Sequence, residues 1–229
     1  MNQTKIKICG LTCDRDVEIV NTAQPDFCGF VIDVPQSERN VTVEQAARLA
    51  AGLSGVTAVG VFVDADPGLI RRAIELGAAK AVQLHGNESA EDIIGLKAKT
   101  GVPIIKAFVV CDAEDVTRAE QSPADLILLD SGRGSGKPFD WTQLKELRRP
   151  YFLAGGLNPD NLPQVLNQLH PWGVDLSSGV EAGTKQPGIQ NKDRGKVLAA
   201  VAEVRSACLR SNTAVGPAAK DRRKLRMEW

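Results

Sequence analysis

The chain has 229 residues, enough to bury a full core in one domain or two. Lys plus Arg and Asp plus Glu each number 28, so no net charge recruits nucleic acid or an anionic membrane surface, and a small-molecule partner is expected. Five cysteines without a CxxC pair and two histidines far apart in sequence supply no redox or metal clip, so free thiols and no bound metal are expected.

The opening segment MNQTKIKICG lacks an apolar signal region, and no later run reaches membrane-spanning length, which points to a reducing cytoplasm. From there, short apolar runs alternate with stretches of helical period. Strands are expected at 5–9, 27–33, 56–63, 80–84, 102–110, 125–130, 151–154 and 173–176. Helical stretches follow them in turn: DVEIVNTA, VEQAARLAAGL, PGLIRRAIEL, SAEDIIGLKAKT, AEDVTRAE, WTQLKELR, PDNLPQVLNQL and KVLAAVAEVRSACL. In the second of these, Val43, Ala46, Ala47 and Leu53 fall at helical spacing. Pro67 and Pro159 suit first-turn positions, and Ser89 with Asp92 has the spacing of a capping box.

The strands are nearly continuous Val, Ile, Leu and Ala, the composition of a parallel sheet covered on both faces. A strand–helix unit repeated eight times is the pattern of a (β/α)₈ TIM barrel, here one domain over residues 1–210. The alternative is an open doubly wound sheet, which would normally carry a Gly-rich phosphate loop after its first strand. CGLTCDRD does not supply one. From 211 to 229 the sequence SNTAVGPAAKDRRKLRMEW is basic and aperiodic, and it reads as a disordered tail.

In such barrels chemistry takes place at the C-terminal strand ends. Cys9, Asp33, Arg39, Asp64, His85, Asp130 and Asp175 all fall at or just after those ends. Asp33 and Asp64 read as loop caps, His85 and Asp175 as site candidates. After the seventh and eighth strands, LAGGLNPDN and GVDLSSGVEAG each end an apolar run in small residues. Backbone N–H groups near Gly155, Gly156, Ser177, Ser178 and Gly179 are then placed to hold a phosphate. The competing role for these glycines is to permit tight turns.

Cys9 is a candidate base or nucleophile; a small buried hydrophobe is its other role. Asp130 ends the apolar run LILLD, where partial desolvation suits a carboxyl group to donating a proton near neutrality; capping the following loop is the alternative. That loop, SGRGSGKPFDW, is not a Walker motif: Pro138 stands where Ser or Thr is required, and Ser131 where the first Gly belongs. Arg39 offers a bidentate fork for a carboxylate, or else a surface ion pair. An acid and a base flanking a phosphate site fit an isomerase that moves a proton between carbons of a sugar phosphate.

Eight motifs, in order along the chain, resemble those of phosphoribosylanthranilate isomerases: KICGLT, GFVIDVPQSERNV, VGVFVD, VQLHGNE, PIIKAF, LLDSGRGSGKPFDW, LAGGLNPDN and GVDLSSGVEAGTKQPGI. The resemblance implies a (β/α)₈ barrel catalysing an Amadori rearrangement in tryptophan biosynthesis, without cofactor or metal. It also implies Cys9 as general base, Asp130 as general acid, Arg39 on the anthranilate carboxylate and Asp175 near the anthranilate amine. The two Gly-rich elbows would then hold the ribose phosphate. His85 belongs to the QLHG motif but receives no chemical step. The loop after Asp130 departs from the family in lacking Thr on either side of its Lys, and the basic tail has no family counterpart.

Two rival readings are another phosphate-binding barrel, acting on a sugar phosphate or aminoaldose, and a non-catalytic phosphate-ligand sensor whose tail binds nucleic acid. A metal-dependent epimerase would need histidines on several strands, and only His85 is available. Retention of both Cys9 and Asp130 argues against the sensor. Either a monomer or a homodimer is compatible with the sequence, with no membrane partner.

Overall fold

A computed structural model describes residues 3–130, 144, 147–183 and 192–213. The elements run β1 (Lys5–Cys9), α1 (Asp14–Ala23), β2 (Phe27–Ile32), β3 (Asn40–Val41), α2 (Val43–Ala51), β4 (Thr57–Phe62), α3 (Pro67–Glu75), β5 (Ala81–Leu84) and α4 (Ala90–Thr100). They continue with β6 (Ile104–Val109), α5 (Ala113–Gln121), β7 (Leu126–Asp130), β8 (Tyr151–Ala154), α6 (Leu162–Leu169), β9 (Gly173–Leu176), a 3₁₀ turn (Ser178–Val180) and α7 (Arg194–Thr213).

All strand pairings are parallel, and β1 lies between β2 and β9, which closes eight strands into a barrel. The open-sheet alternative is thereby excluded. Within each strand, alternate residues face opposite sides. Ile6, Ile8, Cys28, Phe30, Val82, Leu84, Ile127 and Leu129 join the layer between strands and helices. Phe27, Val59, Ala81, Ile105, Leu126 and Phe152 fill the interior with Trp172. At the N-terminal strand ends the rings of Phe27, Phe152 and Trp172 close the barrel, Phe152 meeting the other two edge-to-face at 5.8 and 5.1 Å between centroids. The interior is therefore apolar at one end and free to be polar at the other.

β3 is a short strand where the sequence suggested only loop. It pairs with the end of β2 because Asp33 turns the chain with φ 51°, its N–H donating to Val41 O at 3.0 Å, while Asn40 Oδ1 accepts from Val34 N at 2.6 Å. Capping boxes start α2 at Thr42, α4 at Ser89 and α5 at Asp112, and Pro67 occupies the first turn of α3. Pro159 does not open a helix. Asn158 Oδ1 accepts from Asp160 N and Asn161 N, which holds that segment in a turn, and Pro163 takes the first-turn place in α6. α7 continues through Thr213, past the boundary expected at residue 210. The helical stretch WTQLKELR falls largely outside the described residues, as do the loop from Ser131 and the tail from residue 214. Among the described residues no helix is long and apolar enough to cross a membrane.

Asp26 ties the last helix to the first strand, accepting from Ile6 N at 3.0 Å, Lys5 Nζ at 2.8 Å and Arg205 Nη1 at 3.0 Å. Phe152→Ala should remove the central ring of the interior plug and destabilise the fold by about 3–5 kcal/mol. Urea denaturation checks this, and a loss below about 1 kcal/mol would contradict close packing of the plug.

Candidate functional site

At the C-terminal strand ends the barrel opens into a cavity of about 550 Å³, in the range of small-molecule sites. Cys9, Arg39, His85, Asp130, Gly155, Gly156, Asp175, Ser177, Ser178 and Gly179 all line it. Thus every residue singled out from sequence for a site role reaches one space. Asp33 and Asp64 do not line it: Asp64 accepts from Asn87 N and Nδ2 at 2.5 and 3.2 Å, as a loop cap does. Cys13 precedes α1, and Cys28 is buried within β2.

The parity of KIKIC puts Lys7 and Cys9 inside, since Ile6 and Ile8 face the helices. Lys7 is fully buried and donates to Asp175 Oδ2 at 2.9 Å. Its ammonium also lies beside the Cys9 thiol, because a Cβ on Gly29 would stand 2.7 Å from Cys9 Sγ and 3.0 Å from Lys7 Nζ. Burial pushes the Cys9 thiol up, while Lys7 pulls it down and Asp175 pushes it up further. Burial would lower Lys7, but Asp175 and Cys9 more than offset that and hold it charged. Asp175 Oδ1 is buried without a hydrogen-bond partner among the described residues.

On β5, Gln83 Nε2 lies 3.3 Å from His85 Nδ1. With the amide in this orientation Nδ1 accepts and the imidazole proton sits on Nε2; a flipped amide would accept from Nδ1–H through Oε1 instead. Burial lowers the His85 pKa, with Asp130 and Asp175 opposing, so the ring is neutral at neutral pH. Gln83 Oε1 is a second buried acceptor without a partner among the described residues. Behind this strand, buried Lys106 donates to Gly86 O at 2.8 Å and pairs with Glu88, which fixes the loop after His85.

Arg39 is not an exposed ion pair. Its Nε and Nη2 donate to Glu181 Oε1 and Oε2 at 2.6 and 2.8 Å, and Lys192 Nζ donates to the same carboxylate at 3.1 Å. Burial alone would raise the Glu181 carboxyl, but Arg39 and Lys192 hold it below the usual range. The stem of Arg39 crosses the end of β1 at Gly10, whose φ is 83° and where any Cβ would collide with Arg39 Cδ. Two of the fork's donors are thus committed, and its Nη1 edge remains for a ligand.

The two elbows interlock. Gly155 and Gly156 have φ of 95° and 65°, and Gly179 packs so closely on the Leu157 carbonyl that a side chain cannot fit. The Ser177 hydroxyl has a structural partner, since its Oγ donates to Cys9 O at 3.1 Å and ties the second elbow to β1. Asp130 ends β7 beside the first elbow, its cross-strand partner being Ala154 of β8. The remaining wall is apolar, including Val34, Val63, Val109, Leu128 and Leu157.

Sequence reading missed Lys7, Gln83, Glu181 and Lys192. Lys7 and Gln83 carry a signal, each sitting two residues before a chosen residue and therefore facing the same way. Glu181 and Lys192 carry none, because a bridge between residues eleven apart brings them together.

Residues 6–201 match the family model described as N-(5'phosphoribosyl)anthranilate (PRA) isomerase. The N-(5'-phosphoribosyl)anthranilate isomerase of Endomicrobium trichonymphae is 40% identical over 208 residues, covering 88% of this chain and 98% of that protein. That of Chromohalobacter salexigens is 42% identical over 200 residues, covering 82% and 90%. The crystal structure of phosphoribosyl anthranilate isomerase from Thermotoga maritima superposes with TM-score 0.79 at 34% identity, covering 89% of this chain and 99% of that one. A structure of such an isomerase in complex with reduced 1-(o-carboxyphenylamino)-1-deoxyribulose 5-phosphate superposes with TM-score 0.77 at 32% identity, covering 89% and 99%.

Gly179→Ala should force the second elbow off Leu157 and weaken phosphate-bearing ligands by about 10- to 100-fold, the equivalent of losing one charge-assisted hydrogen bond. Titration with inorganic phosphate and with substrate measures it. Unchanged affinity in a folded variant would remove the elbows from anion binding.

Proposed function

The chain belongs to the N-(5'-phosphoribosyl)anthranilate isomerase family and acts as that isomerase in tryptophan biosynthesis, and from this premise we propose how its own residues carry the reaction. The reaction is the Amadori rearrangement of N-(5-phosphoribosyl)anthranilate to 1-(2-carboxyphenylamino)-1-deoxyribulose 5-phosphate. The observation that supports the reading best is the convergence of Cys9, Asp130, Arg39 and both elbows on one cavity.

The elbows after β8 and β9 hold the phosphate, and the Nη1 edge of Arg39 takes the anthranilate carboxylate. Asp130 gives its proton to the furanose ring oxygen. The C1–O bond breaks as the nitrogen lone pair forms an iminium. Asp175 Oδ1, buried and without a partner among the described residues, accepts the N–H beside that charge. The Cys9 thiolate then removes the C2 proton, and the C–H electron pair becomes the C1–C2 double bond of an enolamine. Protonation at C1 and loss of the hydroxyl proton give the ketone. Atoms and electrons balance without a cofactor or metal. Neutral His85 and Gln83 both line the same space and suit ribose hydroxyls.

Cys9 has to remain a free thiol, which a reducing cytoplasm ensures. Every residue given a role lies on one chain, so a monomer suffices.

The test is loss of anthranilate fluorescence when substrate is generated in situ with purified protein; turnover no faster than the spontaneous rate sinks the reading. Cys9→Ser and Asp130→Asn should each lower kcat by about 10²- to 10⁴-fold with KM little changed. An effect confined to KM would contradict proton transfer by these groups. Because the thiol of the empty site is pushed up by burial, kcat/KM should fall about tenfold per pH unit on the acid side of a midpoint above the ordinary thiol value. A midpoint in the carboxylate range would exclude Cys9 as the base. Arg39→Ala should raise KM by about 10- to 100-fold with kcat less affected, and an unchanged KM would exclude the carboxylate clamp.

A further inference from the structure

A buried thiol is a poor base, because burial opposes formation of its anion. Something in this barrel has to favour the thiolate. Among the described residues, the charged and titratable groups around Cys9 are Lys7 on its own strand, Asp175 on β9, Cys28 on β2, Arg39 beyond β2 and Lys192 at the bridge to Glu181. Arg39 and Lys192 are committed to Glu181. Cys28 adds no positive charge, and Asp175 is an anion. Lys7 remains. It is 0% exposed, so it touches no substrate, and it stands beside the thiol at the shoulder of Gly29.

We propose that Lys7 is a positioning residue whose buried ammonium, anchored on Asp175, supplies the positive charge against which the Cys9 thiolate forms. Lys7 does not take the proton. Its partners hold it charged, and the proton leaves Cys9 for solvent in the open cavity. Gly29 is part of the arrangement, since a side chain there would enter the space shared by Nζ and Sγ. Asp175 has two opposed effects: it fixes Lys7 through Oδ2 and repels the thiolate. The pair therefore sets the acidity of Cys9 by balance, and the two partners act in opposite directions. This rests on the reading of Cys9 as the base only where it speaks of turnover; the coupling of Lys7 to the thiol is measurable without it.

The test is the pH dependence of Cys9 alkylation by iodoacetamide, followed on the Cys9 peptide by mass spectrometry in the full chain, with kcat profiles on the same proteins. Lys7→Met should move the alkylation midpoint to higher pH, slowing reaction at about pH 8 by tenfold for each unit moved. Asp175→Asn should move it to lower pH, and Lys7→Arg should restore it towards wild type. A role confined to holding the fold together predicts no such opposition. Lys7→Met leaves Asp175 buried without its cation and thus risks unfolding. The double variant Lys7→Met/Asp175→Asn, compared with Asp175→Asn alone, repeats the measurement without an orphan charge. An alkylation midpoint unmoved in both comparisons overturns the proposal. Moved midpoints support it, and if kcat profiles then fail to follow, it is the assignment of Cys9 as base that falls and not the coupling.

Discussion

The ion pair between Lys7 and Asp175 is the constraint on which the active end of this barrel depends. Withdrawing two charges from water costs several kcal/mol per ion, and only good geometry offsets it. Here the geometry comes from the sheet: β1 and β9 close the barrel in a register that makes Lys7 and Asp175 direct cross-strand partners. A slip of β1 by one residue would turn Lys7 into the apolar layer beneath the helices, bring Ile6 and Ile8 inside and leave Asp175 without its cation. Register and ion pair thus specify one another. The cation so placed borders the thiol of Cys9, and Asp175 lines the cavity. A requirement of folding and a requirement of chemistry meet in the same two side chains.

Around that pair the rim is held by two separate charge networks. One joins Arg39, Glu181 and Lys192, drawing together the loop after β2, the 3₁₀ turn and the start of the last helix. Buried Asp16 steadies it from below, accepting from Thr12 N at 2.8 Å and Lys192 N at 3.0 Å. The other joins Lys106, Glu88 and Asp64 behind His85. Groups fixed before the substrate arrives need not reorganise during the reaction, which is where electrostatic catalysis gains most. The apolar wall between the networks suits an aromatic ring, while the polar atoms sit at its ends.

The barrel was legible because parallel strands covered on both sides are written as unbroken apolar runs, and their C-terminal residues mark the site by topology alone. Cys9, His85, Asp130 and Asp175 could be chosen this way. What reasoning by strand ends could not reach was the layer below. Lys7 and Gln83 are polar residues inside apolar strands, visible only if the alternation is followed one step inward from a chosen residue. Contacts set by loop conformation were less legible still. The fork of Arg39 offered no hint that Glu181 already grips two of its donors, and Ser177 gave none that its hydroxyl binds the end of β1. Pro159 misled because its neighbour Asn158 caps a turn ahead of the helix.

Closure by β1 and β9 also bears on the order in which the molecule can be made. Lys7 leaves the ribosome before Asp175, which follows 168 residues later. Through that interval β1 has β2 on one side and an unpaired edge on the other, with a lysine destined for burial still able to keep its water. Nascent half-barrels therefore expose both an edge strand and the interior faces of their sheet, the surfaces that invite association with other chains. The cavity cannot exist until β9 arrives. Production of this barrel thus carries a window of vulnerability that spans the interval between β1 and β9 and ends when those two strands meet.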